Sequence, residues 1–333
     1  MDRIAIVGLG LIGGSIGLAL KAAKLNNVEV VGCDVSRQAL VDAKRRGAVD
    51  RTEGSLREAL KGAELVVLSI PVLATKDVLQ DAVPFLKEGT VLTDTGSTKA
   101  RVMEWAQELL PPQVSFVGGH PLAGKETSGI QGAEAALFRG AVYAVCPQPS
   151  ADPEAVKVVG WLVESVLGAR AFFVDPHEHD GLVAGISHLP IILSAALVSC
   201  TSQSPSWREM SKLAATGFRD ISRLAAGDPT MNRDICFSNR ESLARWIDLC
   251  IQEMQEYRRL MLEESPALGE RFSKAWEERA KWMLEREGKA NERTLPDLPS
   301  ASERMSSLFF GEWATKRAHQ MMEGPQRRAE PKK

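Results

Sequence analysis

The first half of the chain alternates between short apolar runs and helical patterns, and this alternation restricts the fold more than any other feature. Runs rich in β-branched residues lie at 3–8, 28–34, 64–70, 90–95, 115–118, 141–146 and 171–174. Helical patterns separate them at 14–24, 37–46, 75–86, 98–109 and 153–167. Strands that are apolar throughout and separated by helices predict a parallel sheet covered on both faces. We therefore expect an α/β, doubly wound sheet of the Rossmann type over residues 1–174.

The pattern changes near residue 175. Asp175, Pro176 and Glu178 resemble the start of a capped helix, and helical patterns continue to about residue 290. The run 189–198 is too continuously apolar for an exposed helix, which indicates burial in a core or at a subunit interface. We predict an all-α domain over 175–290, a homodimer built on it, and an extension over 291–333 whose end is disordered.

Composition excludes several classes of protein. The 41 basic and 43 acidic residues leave a net charge of −2, which favours neither nucleic acid nor an anionic membrane as a partner. Five cysteines without a C-x-x-C pair indicate a reducing compartment. The uncharged stretch 4–20 contains five glycines and falls short of the roughly 20 apolar residues that span a bilayer. We expect a cytoplasmic enzyme.

The first predicted strand leads directly into a glycine-rich turn, Gly8-Leu9-Gly10-Leu11-Ile12-Gly13. In G-x-G-x-x-G between a strand and a helix, the first glycine allows the tight turn and the second lets the backbone approach a pyrophosphate. The third permits close packing of the helix on the strand. The helix amino end, with Leu11 and Ile12, offers free N–H groups to the phosphates. The turn predicts dinucleotide binding; the alternative is a glycine turn that binds nothing.

An acidic residue follows at the expected distance. Asp34 ends the second predicted strand, 21 residues after Gly13. A carboxylate there accepts both ribose hydroxyls and repels a 2′-phosphate, which favours NAD over NADP. Arg37 leaves NADP open, because a guanidinium three residues on can reach a phosphate. Ser69 and Pro71, at the end of a later strand, either line the cofactor crevice or only terminate the strand.

Two polar segments follow predicted strands and open at the edge of the sheet where ligands bind. The first is Asp94-Thr95-Gly96-Ser97-Thr98-Lys99, and the second runs from Gly118 to Gly129 around His120, the only histidine in residues 1–174. A neutral imidazole can take a proton from a hydroxyl near neutral pH. Ser97 is placed to hydrogen-bond and orient it. The alternative for His120 is a histidine in a polar loop.

At this point the chain resembles the prephenate/arogenate dehydrogenase family. The matching segments are GLGLIGGS (8–15), DTGSTK (94–99), GGHPLAGKETSG (118–129), HDGLVAGISHLP (179–190), GFRDISRLA (217–225) and DPTMNRDI (228–235). The resemblance implies oxidation of a cyclohexadienol with loss of carbon dioxide and hydride transfer to NAD. It assigns His120 to the base that accepts the hydroxyl proton and Ser97 to the bridge between that base and the cofactor.

The resemblance also assigns substrate-binding residues. Arg223 corresponds to the arginine that holds a carboxylate of the substrate prephenate, while His179 and His188 line the pocket and Glu126 lies at its rim. Arg219 shares a helix face with Arg223, and a surface salt bridge is the simpler interpretation for it.

Three alternatives remain open. His179 and His188 are nine residues apart, which places them on opposite faces of an unbroken helix, although Pro190 can bend it. His177, His179 and Asp180 suggest a metal, but no further ligand is evident and we predict none. Many relatives carry a second histidine where this chain has Ile191, which leaves arogenate as an alternative substrate.

Two other classes of protein are weaker alternatives. A β-hydroxyacid-type dehydrogenase carries a catalytic lysine on the first long helix of its second domain, whereas residues 181–203 contain no lysine. A non-catalytic NAD sensor does not need His120, Ser97 and Arg223 together.

Overall fold

The computed structural model describes residues 1–125, 127, 129–148 and 150–286. Its strands are β1 (Arg3–Val7), β2 (Glu29–Cys33), β3 (Arg51–Glu53), β4 (Leu65–Leu68), β5 (Val91–Asp94), β6 (Ser115–Pro121), β7 (Val142–Pro147) and β8 (Arg170–Phe173). They form one sheet in the order β3-β2-β1-β4-β5-β6-β7-β8. The strand order reverses between β1 and β4, and ligands of open α/β sheets bind at that crevice.

The direction of the last two strands corrects one expectation. The first six strands are parallel, as predicted, but β7 pairs antiparallel with β6, and β8 runs parallel to β7. A parallel pair needs a long crossover, usually a helix. Between β6 and β7 the described residues contain only a 3₁₀ turn, Ile130–Gly132, so the chain turns back. The sequence analysis also missed β3, because its residues Arg-Thr-Glu carry no apolar run.

Helices cover both faces of the sheet and make up the second half of the described chain. They are α1 (Leu11–Ala22), α2 (Arg37–Arg45), α3 (Leu56–Leu60), α4 (Thr75–Ala82), α5 (Ala100–Leu109), α6 (Pro153–Trp161), α7 (Pro176–Val183), α8 (Leu189–Ser202), α9 (Trp207–Leu213), α10 (Thr216–Ser222), α11 (Pro229–Ser238), α12 (Arg240–Leu262) and α13 (Ala267–Arg286). The turn Leu162–Val166 after α6 and the turn Ala184–His188 between α7 and α8 are π-helical.

The core explains why the strands are apolar throughout. Alternate residues of a strand point to opposite faces of the sheet. Ile4 and Ile6 of β1 therefore pack into one hydrophobic cluster, and Ala5 and Val7 pack into a second cluster on the other face. Both faces are buried, which confirms the doubly wound architecture. Because β1 to β6 are parallel, their carboxyl ends lie at one edge of the sheet.

Helix α7 begins where the sequence predicts. The carboxylate of Asp175 accepts hydrogen bonds from the backbone N–H groups of His177 (2.8 Å) and Glu178 (3.2 Å). Within the helical stretch Pro176–Ser202, an 18-residue window has a mean hydropathy of 2.0, and only 22% of that window is buried. It is the one stretch in the described part of the chain long and apolar enough to cross a membrane, which is weak evidence for a span. Exposed side chains such as Ile186 (75% exposed) and Leu193 leave this stretch with an apolar surface within a single chain.

The described residues divide into two compact units, with the division between residues 249 and 250. The predicted boundary near residue 174 lies inside the first unit, between the end of β8 and the start of α7. In the second unit, Tyr257 of α12 and Phe272 of α13 pack with ring centroids 5.4 Å apart. The extension predicted for residues 291–333 lies outside the described residues.

Candidate active site

The glycine turn between β1 and α1 contains two glycines that the fold requires and one that it does not. Gly8 has a φ of +93°, and a Cβ there would lie 2.1 Å from the carbonyl oxygen of Ser69. A Cβ on Gly13 would lie 2.0 Å from the carbonyl oxygen of Gly8. A Cβ on Gly10 would meet no protein atom within 4 Å. Gly10 thus borders open space at the amino end of α1, where the pyrophosphate of a dinucleotide fits.

Leu11 and Ile12 form the first turn of α1, whose leading N–H groups have no intrahelical partner. Asp34 lies beside this turn and is held in place by both of its carboxylate oxygens. Oδ2 accepts the N–H of Leu9 and Oδ1 accepts the N–H of Ser36, each at 2.7 Å. Each oxygen has a second lone pair for a ribose hydroxyl. The residues at this turn therefore fit NAD.

Ser69 and Pro71 follow β4 on the other side of the turn. The Ser69 hydroxyl accepts a hydrogen bond from the Thr95 hydroxyl at 3.2 Å, and Pro71 is exposed. Both residues lie at the carboxyl edge of the sheet, a position that agrees with either interpretation, lining the cofactor crevice or ending the strand.

A buried ion pair links the end of β5 to the residue that precedes α5. Lys99 Nζ contacts Asp94 Oδ2, and both side chains are almost fully buried. Asp94 also accepts the N–H of Gly96 at 2.8 Å and the N–H of Gly119 at 3.1 Å. Breaking such a pair leaves an uncompensated buried charge. The pair therefore holds the loop that contains Ser97 next to the strand that contains His120.

Three side chains form a hydrogen-bonded chain behind the candidate base. His120 lies in β6, and its Nδ1 is 2.9 Å from Nε2 of His179 in α7. Nδ1 of His179 is 2.8 Å from Oδ1 of the neighbouring Asp180. His120 is 7% exposed and His179 is 2% exposed, so solvent competes little with these bonds. The structure thus places His179 behind His120, in contact with it.

Asp180 was not recognised as a site residue from the sequence. Its carboxylate also accepts the backbone N–H groups of Lys99 (2.7 Å) and Ala100 (3.0 Å), which begin α5. Helix α5 has no side-chain cap of its own, so Asp180 of α7 caps it from a distance in sequence. The sequence offered Asp180 only as a metal ligand together with His177 and His179, an interpretation that we did not adopt; no metal-binding cluster occurs in the part of the chain that is described.

The electrostatics of His120 favour the neutral ring. Burial, with the nearby His179, Lys99 and His188, lowers its pKa well below the ordinary value of 6.5. Its second ring nitrogen, Nε2, makes no hydrogen bond to any described residue. This atom is also not completely enclosed by the protein. His120 can therefore accept a proton at Nε2 from a molecule in the crevice.

The π-helical turn changes the expected geometry of His188. Nine residues at about 100° each place two side chains on opposite faces of an unbroken helix. The π turn Ala184–His188 absorbs about one residue, so the angle between His179 and His188 falls to roughly 80°. Both rings are buried, and the prediction of opposite faces does not hold for this interrupted helix.

Asn239 sets the protonation of His188. Its Nδ2 donates to the carbonyl oxygen of Asp180 at 2.7 Å and lies 3.2 Å from Nδ1 of His188. Because Nδ2 is a donor, Nδ1 of His188 accepts and Nε2 carries the proton. That Nε2 is buried and lacks a partner among the described residues, although the nearby Ser97 carbonyl favours the charged ring. Burial outweighs that effect and lowers the pKa of His188 to about 4.

The remaining predicted site residues that the structure describes are not part of the hydrogen-bonded chain that contains His120, His179 and Asp180. Ser97 is half-buried, and its hydroxyl makes no hydrogen bond to a described residue. The expected bond to His120 is therefore absent, and Nδ1 of His120 contacts His179 instead. Arg223 begins the exposed 3₁₀ turn Arg223–Ala226, which is held to α8 by the Ala225 N–H and the Ser194 hydroxyl (2.8 Å). Glu126 lies outside the described residues.

Arg219 and His177 follow the simpler interpretations. Arg219 is exposed and forms a surface salt bridge with Asp220 at 3.1 Å, as the sequence suggested. His177 is exposed while His179 is buried, so the two side chains of the His-x-His pair point apart.

A glycine turn at the reversal of strand order, with a buried neutral histidine at the same edge of the sheet, defines a Rossmann-type NAD-dependent oxidoreductase. Models of known protein families match this chain and support this class of enzyme. The nucleotide-binding domain of prephenate dehydrogenase matches residues 16–172, and its dimerization domain matches residues 175–283. The chain belongs to the prephenate dehydrogenase family.

Individual relatives support this placement. Prephenate dehydrogenase of Bacillus subtilis is 38% identical over 267 residues, which cover 79% of this chain and 71% of the relative. The structure of prephenate dehydrogenase from A. aeolicus with hydroxyphenyl propionate and NAD+ has a TM-score of 0.78 and 27% identity, covering 84% of this chain and 98% of that one. The structure of Synechocystis arogenate dehydrogenase has a TM-score of 0.71 and 30% identity, covering 84% and 99%.

Proposed function

We propose that this chain catalyses the NAD-dependent oxidative decarboxylation of prephenate to 4-hydroxyphenylpyruvate in tyrosine biosynthesis. The observation that carries the proposal is the buried, neutral His120 at the crevice, with Nδ1 occupied and Nε2 available. The curated relatives named prephenate dehydrogenase support the choice of substrate.

NAD, when bound, accepts a hydride from the carbinol carbon of the substrate. The chain's part is to hold and orient this cofactor. Backbone N–H groups from Gly10 to Gly13, including those of Leu11 and Ile12, face the pyrophosphate site, and Gly8 shapes the turn. Asp34 is placed for the ribose hydroxyls, and Ser69 and Pro71 line the crevice.

His120 supplies the base. Nε2 accepts the proton of the substrate hydroxyl as the hydride leaves the carbon that carries this hydroxyl. The lowered pKa of His120 keeps the ring unprotonated, and therefore competent, at neutral pH. Loss of carbon dioxide and aromatisation make the reaction strongly downhill, so alignment and a neutralised carboxylate are the remaining requirements. We retain Ser97, on the loop after β5, as a candidate contact to the cofactor.

The substrate carries two carboxylates, and a guanidinium matches them with a planar pair of donors. We assign one carboxylate to Arg223, and we propose Glu126, which lies outside the described residues, as a further substrate-binding residue. His179 contributes through its contact with His120. We also propose His188, with one nitrogen on Asn239 and the other buried near Ser97, as a substrate-binding residue.

Arogenate is the second candidate substrate. Ile191 stands where many relatives carry a histidine, so a polar contact to the substrate's side chain is missing from this position. The similarity to Synechocystis arogenate dehydrogenase supports the same alternative. We keep prephenate because its use commonly accompanies NAD use in this family.

The protein is further proposed to be a homodimer in the cytoplasm. The family's dimerization domain matches residues 175–283, and exposed apolar side chains such as Ile186 and Leu193 mark the stretch that a second copy would cover. All five cysteines are free thiols, which suits a reducing compartment.

The test is a side-by-side assay of the purified full chain with prephenate and arogenate, each with NAD and NADP. We expect NADH formation and carbon dioxide release with prephenate and NAD. Turnover of arogenate without turnover of prephenate would transfer the assignment to the alternative.

The same assay tests the base. His120→Asn should abolish turnover but leave the NAD dissociation constant within about twofold, because the imidazole acts on the substrate. His177→Asn, on the exposed side of α7, is the matched control and should behave like the wild type. Loss of NAD affinity in His120→Asn would show that the role is misassigned.

A further inference from the structure

We propose that Asp180 and His179 form a proton relay behind His120, in which Asp180 sets the ring tautomers and His179 takes over the proton. The relay rests on the proposed function, because the proton it moves is the one that His120 removes from the substrate hydroxyl. Asp180 touches neither substrate nor cofactor in this scheme and is a positioning residue.

The tautomers follow from the hydrogen bonds in order. The Asp180 carboxylate already accepts two backbone N–H groups of α5, and an ionised carboxylate is an acceptor only. Nδ1 of His179 must therefore donate to it, which leaves Nε2 of His179 as an acceptor. Nδ1 of His120 must then donate to that nitrogen, which leaves Nε2 of His120 without a proton. The chain thus delivers the base in the tautomer that the reaction needs.

The groups around His120 and His179 differ, and they disfavour a positive charge on His120. Lys99 and His188 lie near His120 and disfavour a positive charge there. His179 instead contacts the carboxylate of Asp180. A proton that arrives on His120 is therefore better accommodated one ring further along, next to Asp180.

The transfer balances in two steps. The substrate O–H bond breaks as an N–H bond forms at Nε2 of His120, and the N–H bond at Nδ1 of His120 breaks as one forms at Nε2 of His179. His120 ends neutral with its proton on Nε2, and a His179 imidazolium faces the Asp180 carboxylate. No electrons move in the relay; the electron pair of the carbinol C–H bond leaves with the hydride. After product release the proton returns to solvent through Nε2 of His120.

The capping role of Asp180 holds its carboxylate in place and must be separated from the relay in any test. Asp175 offers a matched control, because it caps α7 through two backbone N–H groups and contacts no histidine ring. Asp180→Asn and Asp175→Asn each replace one capping carboxylate by an amide.

The first measurement is ¹⁵N NMR of the histidine ring nitrogens in the full chain, without substrate. In the wild type and in Asp175→Asn we expect His120 to carry its proton on Nδ1 only. In Asp180→Asn we expect a mixture of tautomers, because the amide can donate to His179 as well as accept from it. A wild-type His120 protonated on Nε2 would overturn the relay.

The second measurement is steady-state kinetics. Loss of a tautomer-setting carboxylate lowers kcat by about 10⁴-fold in serine proteases, and we expect a decrease of about 10²–10⁴-fold in Asp180→Asn. The acid limb of kcat/KM against pH should move to lower pH, because the histidine pair loses a neighbouring negative charge. The NAD dissociation constant should stay within about twofold. Unchanged kcat and an unchanged pH profile would refute the relay.

A second variant keeps the proposal testable if Asp180→Asn does not fold. His179→Gln offers an amide oxygen to Nδ1 of His120, which preserves the tautomer, but an amide cannot take over the proton. We expect the wild-type His120 tautomer together with a kcat reduced at least about tenfold; wild-type kcat would overturn proton transfer to His179. Because the NMR result requires no substrate, a protein with these tautomers and no turnover of prephenate would refute the proposed function while supporting the tautomer chain.

Discussion

Replacing Gly10 by alanine should separate cofactor binding from folding. Gly10 has φ −76° and ψ −155°, an extended conformation that L-residues adopt, and a Cβ there would meet no protein atom within 4 Å. Gly→Ala at a compatible site stabilises by about 0.4–1 kcal/mol through the unfolded chain. Alanine is a poorer residue than glycine before the first helical turn, by up to about 1 kcal/mol. The two effects offset each other, so the free energy of unfolding should change by less than about 1 kcal/mol.

The affinity for NAD should respond differently. The added methyl group would occupy the space beside the first N–H groups of α1, where the pyrophosphate is expected. Losing one charge-assisted hydrogen bond there costs about 1.5–3 kcal/mol. Since about 1.4 kcal/mol is a tenfold change, the NAD dissociation constant should rise by about 10–150-fold.

Gly13→Ala is the matched comparison in the same turn. Its Cβ would lie 2.0 Å from the Gly8 carbonyl oxygen and 3.0 Å from Cβ of Ser69, so the backbone must shift. Overpacking of this kind costs about 1–3 kcal/mol or more, and stability should fall together with NAD affinity. Urea denaturation without NAD and calorimetric titration with NAD measure the two quantities. Wild-type NAD affinity in Gly10→Ala, or a loss of stability equal to that of Gly13→Ala, would refute the reasoning.

Three further predictions concern substrate, pH and assembly. Arg223→Ala should raise KM for prephenate more than it lowers kcat; an unchanged KM would point to Arg219. Folding lowers the pKa of His188 from 6.5 to about 4, so between these pH values the unfolded chain binds more protons than the folded chain. His188 should therefore cost up to about 3 kcal/mol of stability as the pH falls through this range. Urea titrations at pH 7 and pH 4.5 should show the loss, and equal stabilities would contradict it. Ile186→Glu should give a monomer by light scattering, whereas Val41→Glu, exposed on α2, should leave a dimer; a monomeric wild type would overturn the homodimer.

Most of the architecture was predictable because it follows from local periodicity. Strands buried on both faces are mostly apolar, and apolar runs marked all strands except β3, whose polar residues leave no such signal. β8 was marked in the same way, although most of its residues are exposed. The glycine turn and the Asp175 cap were predictable for a related reason, since each depends on a few neighbouring residues with fixed conformational needs.

The reversal at β7 and the π turn before α8 were not predictable in the same way. The direction of β7 depends on whether a crossover forms between β6 and β7, and apolar runs look alike in both directions. The π turn Ala184–His188 depends on packing around the helix and not on a residue pattern. It determined where His188 lies relative to His179.

The sequence by itself determined the burial of the sheet on both faces and the dinucleotide turn, because hydrophobic periodicity and glycine geometry are properties of adjacent residues. Only the tertiary structure decided that His179 and Asp180 stand behind His120, across 59 and 60 residues of chain. A hydrogen bond forms only within a few tenths of an ångström of its ideal length, and that placement depends on how whole elements pack.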